Sequence, residues 1–476
     1  MRVAHDTAVV QAAEAAAVAA ADEGALMRRA SFALATVVAR ELAARTGGVS
    51  GRRVVLLVGA GGNGGDALWA GAFLRRRGVA VVAVLLVPER AHPAGLAALL
   101  RAGGRTGDAV DLAGADLAVD GIVGLSARGP LRPDAAALVA QLSCPVVAVD
   151  LPSGVHPDTG AVAGPAVRAD VTVTFGTLKG AHLLAAAWCG RVELVALGYA
   201  LPSARLGALT RAEVGALWPV PDAQDDKYSQ GVVGVVAGSA VYPGAAVLCT
   251  GAAVAATSGM VRYAGTARDA VLTRWPEVVA TDDVADAGQV QAWVAGPGLG
   301  TGAHALGVLR HVLAQDVPVL LDADAITVAG EHPELLAGRA APVLLTPHAG
   351  EFTRLTGAAP EDDRVAAVRA TAERLGATVL LKGSTTVIAQ PDGQALVNAA
   401  STAWVSTAGA GDLLSGLVGA LLAAGLDPMT AAAAGAHVHV LAAELAAVAL
   451  GVGAPVSAST VLEYLRPAVR TARAQA

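Results

Sequence analysis

Five oxygen-bearing side chains stand just behind short apolar runs in the first half of this chain: Asn63, Asp66, Asp120, Asp150 and Ser153. A carboxylate in such a place can take or return a proton. A set of Asn, Asp and Ser oxygens also suits an alkali or alkaline-earth cation, not zinc. Beside them lies the run Gly59-Ala60-Gly61-Gly62-Asn63-Gly64-Gly65-Asp66. In the second half Gly409-Ala410-Gly411-Asp412 opens another apolar run. Glycine lets N–H groups crowd a phosphate, and a helix N-terminus adds partial positive charge. Asp412, placed there, can take the proton of a hydroxyl. Two anion loops of unlike design imply two phosphate-bearing ligands and two activities. For any one of these residues alone, ordinary capping of a strand or helix end explains it as well.

Elements must carry these residues to one edge. Residues 53–58 form a continuous apolar run ending in glycine, which predicts a buried parallel strand. A helix is expected over 66–77 and a strand over 79–87. Further strands are expected at 116–119, 145–149 and 170–175, with helices at 93–102 and 133–142. Residues 8–45 predict one or two outer helices. This is a doubly wound, Rossmann-like α/β pattern, whose ligands sit at the carboxyl ends of the strands. Pro202, Pro219 and Pro221 interrupt the periodicity, and we place a boundary near 208, giving domains 1–208 and 209–476. The second half again alternates, with strands at 232–237, 292–295, 317–321, 342–346, 377–381 and 385–389. Its helices are expected at 244–258, 303–314, 361–375, 412–424, 430–447 and 458–473.

Composition narrows the class. A chain of 476 residues exceeds one ordinary core. The net charge of -6 without a basic block argues against nucleic acid and acidic membrane surfaces. Cys144, Cys189 and Cys249 form no CxxC pair, which fits a reduced, cytoplasmic setting. Mean hydropathy is +0.54, yet the apolar stretches 413–426 and 431–450 read as buried helices of a soluble protein. Lysine occurs only at Lys179, Lys227 and Lys382, so a retained lysine can mark a need for an ammonium over a guanidinium.

The segment 59–67, with Asp120-Gly121-Ile122-Val123-Gly124, Asp150-Leu151-Pro152-Ser153-Gly154 and Thr174–Lys179, resembles the epimerase domain of the bifunctional NAD(P)H-hydrate repair enzymes. The resemblance covers about residues 8–208. It implies that Gly62, Asn63, Gly64, Gly65 and Asp66 contact the dinucleotide phosphates, and that Asn63, Asp120 and Ser153 hold a potassium ion. It implies too that Gly124, Leu125, Ser126, Ala127, Arg128, Gly129, Pro130 and Asp150 face the hydrated nicotinamide. Asp150 is then the acid–base group for inversion at the hydroxyl-bearing C6. Gly62, Ala67 and Arg128 depart from the common pattern, and an arginine there can stabilise charge but not release a proton.

Residues 225–470 resemble the ribokinase-like, ADP-dependent NAD(P)H-hydrate dehydratase domain. The motifs are Gly231–Gly238, Gly296–Gly300, Asp322-Ala323-Asp324, Thr346–Glu351, Lys382–Thr386 and Gly409–Asp412, in that order. The resemblance implies that Ala245, Gly298, His348 and Asp412 contact the hydrate. Lys382, Gly383, Ser384, Thr385, Thr386 and Gly411 contact ADP, and Asp412 is the base. Magnesium is expected, with Glu351 as an indirect holder. Hydrated NADH or NADPH and ADP are the expected small-molecule partners, and a homo-oligomer is expected. Two other readings stay open: a small-molecule kinase fused to a non-catalytic nucleotide-binding domain, and a catalytically dead nucleotide sensor in the first half.

Overall fold

The computed structural model of the chain describes residues 1–20, 24–126, 128–451 and 454–476. It divides into two compact units, Val3–Leu206 and Gly207–Ala476, the second including Met1 and Arg2.

The first unit begins with α1 (Thr7–Ala20) and α2 (Ala25–Thr46). Strands β1 (Arg53–Val58), β2 (Ala80–Leu85), β3 (Arg105–Gly107), β4 (Leu117–Gly121), β5 (Val146–Val149), β6 (Val171–Phe175) and β7 (Arg191–Val195) follow. They lie in the order β3-β2-β1-β4-β5-β6-β7, every neighbour parallel. Helices α3 (Gly62–Arg75), α4 (Pro93–Arg101) and α5 (Pro133–Val139) connect them. The order reverses between β1 and β4, and that reversal opens a crevice at their carboxyl ends. Helices cover both faces of the sheet. Val54, Leu56 and Val58 therefore join one core with α2 and α3, while Val55 and Leu57 join another with α5. A short parallel pair, Arg2–His5 with Leu178–Lys179, aligns His5 with Lys179.

Helix α3 starts four residues earlier than its expected start at 66, inside the glycines. Propensity argues against that start, and packing overrides it. A Cβ on Gly64 would lie 2.3 Å from the Gly59 carbonyl oxygen, and one on Gly59 would lie 1.7 Å from that of Ile122. Gly62 faces open space. Gly59→Ala is therefore expected to cost about 2 kcal/mol or more of stability, and Gly62→Ala essentially none. Thermal unfolding of the two variants checks the contrast.

The second unit opens with α6 (Arg211–Leu217). Its strands are β8 (Val232–Val236), β9 (Met260–Ala264), β10 (Val279–Thr281), β11 (Ala292–Ala295), β12 (Val319–Leu321), β13 (Val343–Leu345), β14 (Thr378–Leu381), β15 (Thr385–Ala389) and β16 (Ala395–Ala399). They run β10-β9-β8-β11-β12-β13-β14-β15-β16, parallel as far as β14 and antiparallel beyond it. The helices are α7 (Pro243–Ala256), α8 (Arg268–Arg274), α9 (Ala303–Leu313), α10 (Asp324–Glu331), α11 (Ala349–Thr356) and α12 (Arg364–Leu375). Three more close the chain: α13 (Ala410–Ala423), α14 (Pro428–Ala449) and α15 (Ala458–Arg473). Helix α13 lies against α7 because Gly416 has no side chain: a Cβ there would stand 1.9 Å from the Cys249 carbonyl oxygen. Helix α14 is long and apolar enough to cross a membrane by length and composition, but most of it is buried in the main core of this unit.

Candidate active sites

In the first unit a cavity of about 370 Å³ opens behind β1, β4 and β5, with Gly62, Asn63, Asp66, Gly124 and Asp150 on its wall. Leu125 and Ser126 also reach it. The first turn of α3 points its N–H groups there, with Gly61 as an extended N-cap. Behind the loop, Asn63 Nδ2 donates to the carbonyls of Val123 at 2.9 Å and Val149 at 2.7 Å. Asp120 is fully buried. It accepts from Ser153 Oγ at 2.7 Å, Ser153 N at 2.8 Å and Ile122 N at 3.2 Å. These donors are neutral, and burial raises the Asp120 pKa. Of the three residues expected to hold a cation, Ser153 is bonded to Asp120, and Asn63 reaches the same corner through Val123, whose amide donates to Ser153 Oγ at 3.2 Å.

Asp150 follows β5 with φ +65°, a left-handed backbone uncommon outside glycine. Its Oδ1 accepts from Lys179 Nζ at 2.5 Å and from Thr174 Oγ1 at 2.9 Å. Lys179 is fully buried, and its ammonium also donates to Thr174 Oγ1 and the Phe175 carbonyl, both at 3.0 Å. His182 Nδ1 accepts from the Lys179 amide at 2.9 Å, which leaves Nε2 to donate to the Asp150 carbonyl at 2.8 Å. One residue thus has its backbone and its carboxylate clamped by neighbouring segments.

Several expected contacts are not brought to this cavity. Gly64 faces the Gly59 carbonyl, and Gly65 packs on the His92 ring. Arg128 donates to the Leu125 carbonyl at 2.8 Å and stands 3.6 Å from Asp158, so its charge turns back onto the chain. Gly129 and Pro130 lie beyond it, with Pro130 against Gly164. Asp66 is on the wall, but its carboxyl meets Ser31 of α2, where an anion-binding role would fail. Ala127 lies outside the described residues.

In the second unit a cavity of about 260 Å³ is lined by His348, Lys382, Gly383, Thr386 and Gly411, with His439 of α14 opposite. Gly409 caps α13 with φ +84° and offers no side-chain acceptor to the first N–H groups of the helix, and Ala410 and Gly411 of that turn are on the cavity wall. Lys382 Nζ lies 2.7 Å from Asp322 Oδ1 and 3.8 Å from Glu351 Oε2. Burial pulls its pKa down, but the charges of Asp322 and Glu351 outweigh that and raise it. Asp322 also accepts from Thr346 Oγ1 at 2.9 Å and from Ser415 Oγ at 2.8 Å, so one carboxylate ties β13, the loop after β14 and α13 together. It precedes Ala323, whose φ of +49° is the other left-handed value among described non-glycine residues. Asp412, one residue past Gly411, is pushed up to about 7, first by burial and then by the charge of Asp322.

His348 caps α11: its Nδ1 accepts from Gly350 N at 2.9 Å and Glu351 N at 3.2 Å. Ala245 and Gly298 are neighbours, since a Cβ on Gly298 would meet that of Ala245 at 3.0 Å. Thr385 is not brought to the cavity, because alternation along β15 turns it away when Thr386 faces in. Ser384 is exposed at the turn before it, outside the wall. Glu351 accepts from the His348 amide at 2.8 Å and lies 3.3 Å from His348 Nε2, so its oxygens are already engaged. Among the described residues no group of three or more His, Cys, Asp or Glu could hold a metal ion.

Residues 233–465 match the family described as NAD(P)H-hydrate dehydratase, and residues 23–181 match the one described as YjeF-related protein N-terminus. The bifunctional NAD(P)H-hydrate repair enzyme of Mycobacterium leprae is 56% identical over 473 residues, covering 98% of this chain and 99% of that protein. The chain belongs to the bifunctional NAD(P)H-hydrate repair enzymes. Within that family's architecture, the second unit is similar to a Bacillus subtilis ADP/ATP-dependent NAD(P)H-hydrate dehydratase co-crystallised with ATP and Mg²⁺. The two share 29% identity with a TM-score of 0.51, over 56% of this chain and 98% of that one. A ribokinase-like superfamily protein from Enterococcus faecalis shares the fold, with a TM-score of 0.51 at 22% identity over 57% of this chain and 98% of that one.

In this repair-family chain the residues to which the sequence assigned no role of their own are bonded to the candidate groups. Lys179 and Thr174 sit on Asp150, and Asp322 and Ser415 stand behind Lys382 and Asp412. For Lys179 the signal was present: it is one of only three lysines in the chain.

Proposed function

We infer that this chain repairs hydrated NADH and NADPH in two steps, one in each unit. The first unit interconverts the R and S hydrates, and the second uses ADP to turn the S hydrate back into the dihydronicotinamide. What carries the reading is that each unit has its own strand-end cavity at a helix N-terminus with a carboxyl at hand: Asp150 on the wall beside α3, and half-buried Asp412 of α13, which is off the wall but next to the wall residue Gly411.

In the second unit Lys382 and the N–H groups near Gly411 bind the phosphates of ADP, with Gly383 and Thr386 beside them. His348, Ala245 and Gly298 hold the hydrate. Asp412 takes the proton of the C6 hydroxyl as its oxygen attacks the terminal phosphorus and the bond to the AMP oxygen breaks. The donors that bound the phosphate then stabilise it as it leaves from C6, and loss of the C5 proton restores the double bond. Hydroxide is a poor leaving group, and phosphate is a good one. Magnesium, which would supply charge neutralisation for phosphoryl transfer, would come with the nucleotide, since the Glu351 oxygens already face the His348 amide, His348 Nε2 and the Lys382 ammonium.

In the first unit the N–H groups at Gly62 hold the dinucleotide phosphates, and Asp150 works at C6. Asn63, Asp120 and Ser153 would hold potassium, which supplies positive charge beside the buried Asp120 and orders the loop. Their set has a single carboxylate, which suits a monovalent ion better than calcium or zinc. Potassium is accordingly expected to promote epimerisation, and Asp120→Ala to remove the ion. An anomalous difference map from a rubidium-soaked crystal checks this; no peak among the three residues rejects the site. The whole reading is tested by incubating purified protein with both hydrate epimers. Without ADP no dihydronicotinamide absorbance returns; with ADP both epimers are consumed. A stable phosphorylated product seen by mass spectrometry would instead mean a kinase.

A further inference from the structure

The first cavity carries more acid than this reading uses. Glu14, Asp66 and Asp150 all stand on its wall. Lys179 is bonded to Asp150, which leaves the other two carboxyls to neutral partners: Tyr199 OH at 3.3 Å from Glu14, and Ser31 Oγ at 3.0 Å from Asp66. Asp66 is the more deeply placed, one turn into α3 and only 8% exposed. Ser31 has one hydroxyl proton and two acceptors in reach, the other being the Met27 carbonyl at 2.7 Å. A protonated Asp66 removes the conflict. Ser31 then donates to Met27, and Asp66 donates to Ser31 until a substrate offers a better acceptor.

We propose that Asp66 is the proton donor of the first site, working from the α2 side of the cavity while Asp150 works from the strand-end side. This rests on the epimerase reading above. Asp66 gives its proton to the C6 hydroxyl oxygen, and the C6–O bond breaks with its electron pair leaving as water. The ring nitrogen lone pair forms the C6=N1 iminium. A second water adds to the other face of C6, and its proton passes to Asp150. One water leaves and one enters, so inversion is balanced without oxidant or reductant. The enzyme ends with Asp66 ionised and Asp150 protonated, which is the state required for the reverse inversion; exchange with solvent resets it. Two carboxyls whose surroundings differ this much are the arrangement expected of an acid and a base.

Three groups face Asp66 from the elements around it: Ser31 on α2, Glu14 on α1 and Asp150 after β5; on the far side of α3 the His92 ring packs against Gly65. Burial raises the Asp66 carboxyl to about 8 against the Ser31 hydrogen bond, and Asp150 and Glu14 push the same way. An acid must be protonated to act, so the rate of inversion is expected to fall as pH rises through about 8.

The test follows pure R hydrate with the full chain in ¹⁸O-water, without ADP, with the epimers separated by chromatography and weighed by mass spectrometry. Each inverted molecule is expected to carry one solvent oxygen. Asp66→Asn is expected to slow inversion about 10²-fold while hydrate affinity stays within a few-fold. Ser31→Ala removes a hydrogen bond to the ionised form and is expected to move the alkaline fall to higher pH. Inversion that keeps the original oxygen overturns the proposal and leaves the epimerase reading standing. So does an Asn variant of near-normal rate. Should that variant not fold, the oxygen count and the Ser31→Ala profile still decide. If the wild-type chain gives no inversion at all, the epimerase reading falls and the proposal with it.

Discussion

Asp412→Asn is expected to slow ADP-dependent dehydration of the S hydrate about 10²-fold or more and to leave epimerisation unchanged. Asparagine keeps a polar group in the first turn of α13 but accepts no proton, so the substitution separates chemistry from helix capping. In the wild type, burial and the charge of Asp322 bring the Asp412 pKa to about 7. A base acts when deprotonated, so the rate should climb with pH through about 7 and level off above it. Asp322→Asn takes away the second of those causes and should shift the climb to lower pH. It also frees Lys382 from its nearest carboxylate, and ADP affinity will report that separately. Dehydration by the Asp412→Asn protein at near-normal rate would mean the carboxylate only caps the helix.

The second large effect belongs to Asp150. Asp150→Asn is expected to abolish epimerisation and to lower the stability of the first unit by about 3–5 kcal/mol, because it strands a fully buried ammonium. The backbone is not the cause, since asparagine tolerates a left-handed φ about as well as aspartate does. Adding Lys179→Met to the same chain should restore most of the stability and none of the epimerisation. Thermal unfolding and a direct assay of the two epimers measure both. ADP-dependent dehydration of the pure S hydrate should persist throughout. If the double variant regained epimerisation together with its stability, Asp150 would be a structural residue.

Much of this was legible because parallel strands buried on both faces are written as unbroken apolar runs. Arg53–Val58, Val232–Val236 and Ala292–Ala295 match expectation to within a residue for that reason. Strands Arg105–Gly107 and Val279–Thr281 have only three residues at sheet edges, too short for a periodic signal. Helices Asp324–Glu331 and Ala349–Thr356 went unseen because they start inside the Asp322 and Thr346 motifs, which read as loops. In the sites, the candidate acids showed themselves by standing after strands and glycine turns. Their partners did not, because Lys179 reaches Asp150 across 29 positions and Lys382 reaches Asp322 across 60. Such pairs exist only once the sheet has formed. The same is true of the turn of Arg128 away from the cavity, which depends on Asp158 in a different loop.

The left-handed backbone at Asp150 and at Ala323 has a bearing on how far this chemistry can be moved or can drift. Each such residue costs about 1–2 kcal/mol in isolation, and here it sits where a strand hands over to the reacting edge. For Asp150 the neighbouring substitutions divide into two poor kinds. Asn and Gly keep the turn and lose the acid; Glu keeps the acid and must bear the turn without the short side chain that eases it. No single-residue step leaves both intact, so the position has no neutral neighbours through which to wander. Copying Asp150 and Lys179 onto another doubly wound sheet would transfer a salt bridge and not its direction. A successful graft would have to carry the whole corner from Val149 to Ser153, so the unit of inheritance at this site is a bend with a carboxylate on it.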